Sequence, residues 1–146
     1  MKGLRFLALL VLLAGCAPML QPQDGFAGLP PATAAEGVLV FSDAGGGLLL
    51  NSYLPLAAPP GSVISEQTYS GKNSFSRFTN PRDFDEVRHF LLAALEASGW
   101  RVLTATTWET PPNRYQTTVR IARDGEQKVV IIRLENGRYS VEVREG

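Results

Sequence analysis

The stretch YQTTVRIARDGEQKVVIIRLENGRYSVEV, Tyr115 to Val143, decides the fold. It carries two turn dipeptides, Asp124-Gly125 and Asn136-Gly137, inside runs rich in β-branched and aromatic residues. Asn-Gly and Asp-Gly between such runs are the strongest short-range signals for two-residue hairpins. If Asp124-Gly125 is a two-residue turn, Val119 faces Val130, Thr117 faces Ile132 and Tyr115 faces Leu134. If Asn136-Gly137 is the next, Leu134 faces Tyr139, Ile132 faces Val141 and Val130 faces Val143. Because side chains alternate between faces, a slip of one residue would turn every one of them over. The two turns choose the same core face independently, so the C-terminal third reads as a three-strand meander. A further strand, Trp100 to Thr106, leads into it through the loop Thr107 to Arg114.

Upstream, DFDEVRHFLLAALEAS, Asp83 to Ser98, has the period of a helix. Phe84, Val87, Phe90, Leu91, Ala94 and Leu95 gather on one face at 100° per residue. Asp83 with Glu86 makes a capping-box start, and Gly99 stands where a left-handed C-terminal cap is expected. Before the helix, Val63 to Tyr69 and Ser74 to Thr79 read as two strands joined by Ser70-Gly71-Lys72-Asn73. Val38 to Phe41 and Leu48 to Leu54, split by Gly45-Gly46-Gly47, suggest an early hairpin. One helix suffices to cover one face of a sheet. The expected fold is therefore α+β: a single antiparallel sheet ending in the C-terminal meander, with one α-helix packed across one face. The expected order is β-β-α-β-β-β-β after the N-terminal strands. The stretch Ser65 to Val102, with SEQTYSG, SFSRFT and FDEV…LLAALEASGWRV, resembles a domain of small bacterial lipoproteins of uncharacterised function. That resemblance brings no activity with it.

The N-terminus says where the chain goes. Lys2 and Arg5 precede nine apolar residues, Phe6 to Ala14. This is the layout of an export signal, and it is about half the ~20 residues a spanning helix needs. Leu13-Ala14-Gly15-Cys16 resembles the bacterial lipobox. The resemblance implies cleavage before Cys16, a diacylglycerol on its sulfur and a second acylation point on its amine. That would explain why the chain has a single cysteine, since a thioether cannot enter a disulfide. Each buried methylene adds ~0.8 kcal/mol, so two or three acyl chains anchor firmly where one does not. Ala17 follows the cysteine where retained lipoproteins often carry Asp. By family resemblance, a bacterium with two membranes would send the protein to its outer membrane. The expected organisation is a signal peptide over 1–15, a lipidated cysteine and Pro/Ala-rich tether over 16–36, and one domain over 37–146.

Removal of residues 1–15 leaves 131 residues, 12 basic and 14 acidic side chains and a net charge of about −2. A nucleic-acid partner would call for a basic excess, and none is expected. His89, the only histidine, lies opposite the apolar stripe and four residues after Asp85. It reads as a general base oriented by that carboxylate or, far more simply, as a solvated surface pair. SGKNS at 70–74 fails as a phosphate loop, with Glu66 where the first glycine belongs and Asn73 where Ser or Thr must hold magnesium. One histidine and no free thiol argue against the usual zinc sets, and no D-x-D-x-D-G run suggests calcium. No catalytic residue, metal or cofactor is expected.

Two features remain as candidate interaction sites. The second face of the meander carries Val129 and Ile131 amid Arg120, Arg133, Glu142 and Arg144. It reads as an interaction patch, as a face covered by the N-terminal hairpin, or as β-branched residues facing water. Trp108, in the Pro-rich segment TTWETPPN, is a candidate partner anchor or a residue folded back onto the domain edge. The leading expectation is a lipid-anchored, non-enzymatic module at the cell envelope that binds an envelope protein or polymer. The alternative is a small carrier holding an apolar ligand between helix and sheet, under Phe84, Val87, Leu91 and Leu95.

Overall fold

A computed structural model describes residues 24–146. Its ten main elements are β1 (Thr33–Ala34), β2 (Leu49–Asn51), β3 (Leu56–Ala57), β4 (Val63–Ser70), β5 (Asn73–Thr79), α1 (Phe84–Ala97), β6 (Arg101–Thr110), β7 (Arg114–Arg123), β8 (Glu126–Glu135) and β9 (Arg138–Glu145). The two turns of the meander set the geometry. Asp124 and Gly125 have φ of 50° and 80°, and Asn136 and Gly137 have 52° and 73°. Positive φ at both central residues is the type I′ requirement, and Asn or Asp followed by Gly meets it with least strain. The pairing follows: Val119 with Val130, Thr117 with Ile132, Leu134 with Tyr139 and Ile132 with Val141. Val119, Val130, Ile132, Tyr139, Val141 and Val143 are all buried in one core cluster.

The helix starts and stops as its sequence dictates. Asp83 accepts a hydrogen bond from the Glu86 amide (2.9 Å), and the Asp83 amide donates back to the Glu86 carboxylate. At the other end Trp100 N–H donates to the Leu95 carbonyl across a left-handed Gly99 (φ 88°). Trp100 is buried there, with the Arg123 guanidinium 4.4 Å above its ring. Phe84, Val87, Phe90, Leu91 and Leu95 face inward.

The expected single antiparallel sheet under one helix is not what forms. The protein is mostly β, with one helix among the described residues. A seven-stranded mixed sheet runs in the order β1-β4-β5-β9-β8-β7-β6, and β2 and β3 form a second, two-stranded sheet. β1 pairs parallel to β4, with Thr33 N–H donating to Ser62 and Ala35 N–H to Ile64. The reason is dimensional. A 14-residue helix is about 21 Å long at 1.5 Å per residue. Seven strands at about 4.8 Å spacing span roughly 29 Å between the outer axes. One helix cannot cover that, and the segment before β4 closes the remainder. Leu50, Leu54 and Leu56 are fully buried in the same cluster as the helix face. Ser76 Oγ donates to the Leu50 carbonyl at 2.7 Å, and Asn51 donates to Ser74. Ser74 and Ser76 pair with Val143 and Val141, so this segment lies on the inner face beside the helix. The outer face is thus not covered by the N-terminal hairpin. That hairpin itself is reduced to one bridge, Ser42 with Leu48, held by Asp43 accepting from the amides of Gly45 and Gly47.

Two boundaries also differ from expectation. Phe26 is buried in the core and β1 is paired, both within the stretch 16–36 expected as tether. The strand expected to end at Thr106 runs on to Thr110, so the loop shrinks to Pro111-Pro112-Asn113, with a cis bond between the prolines. The Thr-rich run keeps pairing because nothing breaks it before Pro111.

Leu91→Ala and Leu54→Ala should each cost about 2–5 kcal/mol, the range for truncating a buried leucine. Val130→Ala should also destabilise. Arg138→Ala, on the exposed side of a turn, should stay within about 0.5 kcal/mol, as surface changes do. Urea midpoints on the four variants check this. An effect at Leu54 as small as at Arg138 would detach the N-terminal segment from the core.

Candidate functional site

The register places every candidate interaction residue of the sheet on its outer face. One cross-strand row runs Trp108, Gln116, Arg133, Ser140, Arg77, and the next runs Thr106, Thr118, Ile131, Glu142, Phe75. Arg120, Val129 and Arg144 form a third. A charged network lies across these rows. Arg133 Nε donates to Gln116 Oε1 (2.8 Å) and Arg133 Nη1 to Glu142 Oε2 (3.2 Å), while Arg144 Nε donates to Glu142 Oε1 (2.7 Å). The hydrogen bond from Arg144, with a second from Arg133, holds the Glu142 carboxyl below the usual carboxylate range.

This network changes the reading of the apolar pair. Ile131 is only 7% exposed and Val129 is half-buried, on the same face as the Arg133–Glu142–Arg144 network. Stems of Arg commonly cover apolar surface while their heads stay in water. Val129 and Ile131 are therefore not an open sticky patch. The exposed apolar group in these rows is Trp108, 51% exposed. It sits in strand β6 and not in a loop, opposite Gln116.

β6 is the last strand of the sheet, and among the described residues nothing pairs with its free side. From Leu103 to Thr110 every residue is exposed. Natural edge strands are usually blunted by Lys, Pro, inward charges, bulges or shortness. Leu103 to Trp108, LTATTW, has no charge and no proline. A register shift interrupts the strand between Val102 and Thr104, after which Thr104 to Thr110 pair without a break. The result is an exposed, regularly paired edge from Thr104 to Thr110 whose one charged residue is Glu109.

A groove of about 780 Å³ opens between the N-terminus of α1 and the β6–β7 hairpin. Phe84 stacks on Tyr115 there (centroids 5.2 Å apart), among Arg82, Asp83, Arg88 and Glu109. The Tyr139 hydroxyl donates to the Arg82 carbonyl at 2.7 Å, and burial pushes its ionisation well above the usual tyrosine range. Of the residues expected over an apolar ligand, Phe84 lines this groove. Val87, Leu91 and Leu95 are fully buried in the core, so a ligand between helix and sheet would have to displace them.

His89 is on the wet side of the helix, 57% exposed. Its Nδ1 lies 2.9 Å from the Asp85 backbone carbonyl and 3.7 Å from the Asp85 carboxylate, which also pairs with Arg88, so the expected His89–Asp85 pair lies on the solvated side of the helix. Among the described residues no three His, Cys, Asp or Glu side chains are grouped for a metal ion, and no helix is long and apolar enough to cross a membrane. Cys16 and its lipobox lie outside the described residues.

A cluster at the opposite end of the sheet was not anticipated. Lys128 is completely buried, with Nζ 3.4 Å from Glu145, 3.6 Å from Glu126 and 4.8 Å from the centroid of the Tyr53 ring. Tyr53 donates its hydroxyl to Glu126 (2.9 Å), and Lys72 approaches the same carboxylate at 3.6 Å. The signal was in the register: Lys128 is two residues from Val130 and so faces inward, opposite Ile121. Its partners tie the β2–β3 connection to the sheet, which makes the cluster a latch on the N-terminal cover.

The latch has a pH signature. The hydrogen bond from Tyr53, helped by the charges of Lys72 and Lys128, holds the Glu126 carboxyl below its ordinary value. A depressed carboxylate contributes stability that is present above its unfolded pKa, about 4.3, and is lost as pH falls through the folded value. Urea midpoints should therefore fall on acidification below about pH 4.5, and Glu126→Gln should flatten that fall while lowering stability at pH 7. An identical acid profile in the variant would remove Glu126 from the latch.

No protein-family model matches this chain, and no curated protein gives a significant match to it.

Proposed function

We propose that this chain is a lipid-anchored protein of the cell envelope whose folded domain is a non-enzymatic interaction module, binding an envelope protein or polymer through the open end of its large sheet. The location rests on Leu13-Ala14-Gly15-Cys16 and the charged and apolar segments before it. In a bacterium with two membranes, Ala17 favours the outer membrane. The observation that carries the interaction reading is β6: an exposed edge strand, uncharged from Leu103 to Trp108, whose Trp108 is half exposed in the same cross-strand row as Arg133. Backbone donors and acceptors on such an edge recognise an extended segment, and a large aromatic beside them supplies an anchor. The groove beside Phe84 and Tyr115 supports a second reading, a small carrier of an apolar ligand. Native mass spectrometry of purified protein would find a bound small molecule in that case and the bare chain otherwise.

Two measurements test the main reading. Cys16→Ser should leave unlipidated precursor and move the protein out of the detergent phase; a wild-type N-terminus mapped elsewhere, without acyl mass, refutes the anchor. In intact cells, a photoreactive residue at Thr106 should yield a discrete adduct. Trp108→Ala should weaken that contact by ~2 kcal/mol or more, about thirtyfold in affinity. A folded Trp108→Ala variant with undiminished adduct takes Trp108 out of the site.

A further inference from the structure

We infer that the partner at this edge is a second copy of the chain, joined β6 to β6 in antiparallel register across a two-fold axis at Thr107. The inference rests on the reading of β6 as the contact surface and names what meets it.

The pairing segment is bounded on both sides by the chain itself. The register shift at Val102/Thr104 ends the regular edge at one end and Pro111 ends it at the other, leaving Thr104 to Thr110. An antiparallel strand meets itself symmetrically, and the register that uses all seven residues puts Thr104 opposite Thr110 of the second copy. In that register Trp108 lies against Thr106, and Thr107 faces itself. Faces match as well: Thr104, Thr106, Trp108 and Thr110 all share the outer side with Arg120, Thr118, Gln116 and Arg114. Charge does not oppose it. The segment's one charged residue, Glu109, meets Ala105, so no like charges stand opposite each other, an arrangement that would destabilise the pair.

The assembly also closes. The other edge of the sheet is β1, two residues long and paired parallel to β4. It covers only Val63 and Ile64 of β4, but a contact across a two-fold uses the same β6 edge of both copies, so pairing stops at two instead of growing into a filament. Pairing along one strand of about 23 Å buries little area, at the low end of specific interfaces. Confinement to one membrane by the lipid at Cys16 raises the effective concentration enough for such a contact to be populated.

Single cysteines at Thr104, Thr107 and Thr110 in the full-length chain, treated in intact cells with a short thiol crosslinker, test the register. Wild type is the control, since its one cysteine, Cys16, carries the lipid on the proposed reading. Across the two-fold, Thr107→Cys places the two Cβ atoms about 5 Å apart, whereas each of the other two positions lies about 20 Å from its own copy. The expected result is a strong homodimer at Thr107→Cys and little at Thr104→Cys or Thr110→Cys. Adding Thr106→Lys with Trp108→Lys sets lysine against lysine twice and should abolish the homodimer while circular dichroism and melting temperature stay unchanged. Equal crosslinking at all three positions overturns the register. Monomer throughout, with a heavier heterologous adduct at the same cysteines, overturns self-pairing but leaves β6 as an interaction edge. Monomer with no adduct of any kind refutes both.

Discussion

Alternation along β7, β8 and β9 is the constraint from which the rest of this structure follows. Two type I′ turns fix which residues of these strands lie opposite each other. That choice gathers Val119, Val130, Ile132, Val141 and Val143 on one side and sends Arg133, Glu142 and Arg144 to the other. Once the apolar side exists, it must be covered. The helix covers one part through Val87, Leu91 and Leu95, and the chain before β4 covers another through Leu50, Leu54 and Leu56. Lys128 is carried into the interior by the same alternation, and its carboxylate and Tyr53 partners make it tolerable there. A buried cation left without such partners costs several kcal/mol.

Both covering elements are used up on the inner side, and that determines what remains free. The outer face leaves little apolar surface: Arg133 and Arg144 bridge to Glu142, the residue opposite Ile131, and Ile131 is buried. The edge at β6 carries its irregularity at Val102/Thr104 and its acid at Glu109, which leaves Thr104 to Trp108 open between them. From Thr104 to Trp108 its side chains are threonines, an alanine and a tryptophan, which suit a strand but neither repel nor block another strand. The contact surface is therefore better sought along the backbone of β6 than in the middle of the face.

How much of this was legible in the sequence depends on the length of each signal. The meander register, the helix with both caps and the β4–β5 hairpin could be read, because each combines several residues of period or a turn with strict backbone demands. The seven-stranded mixed sheet could not. β1 is two residues, Thr33 and Ala34, among prolines and alanines, and two residues have no period. β2 and β3 are three and two residues long and join the core through leucines whose facing is set by tertiary contact with Ser74 and Ser76. The prolines at 111 and 112 make the segment around Trp108 read as a loop, yet three residues are enough to turn the chain and the threonines before them keep pairing. The outer-face residues were placed on the correct side by register. The burial of Ile131 was not visible, since burial depends on where side chains lie. The buried Lys128 was implied by parity alone, but only the fold supplies Tyr53 and Glu145 to meet it.

Residue-resolved amide hydrogen exchange on the monomeric protein measures the division between a closed inner face and an open edge in one experiment. The account predicts that the amides of Val119, Val130, Ile132 and Val141 exchange only through global unfolding. Along β6 from Thr104 to Thr110, every second amide, the one turned away from β7, should exchange at nearly the rate of an unprotected chain. Uniform protection along β6 in the monomer, or rapid exchange in β8, would contradict it.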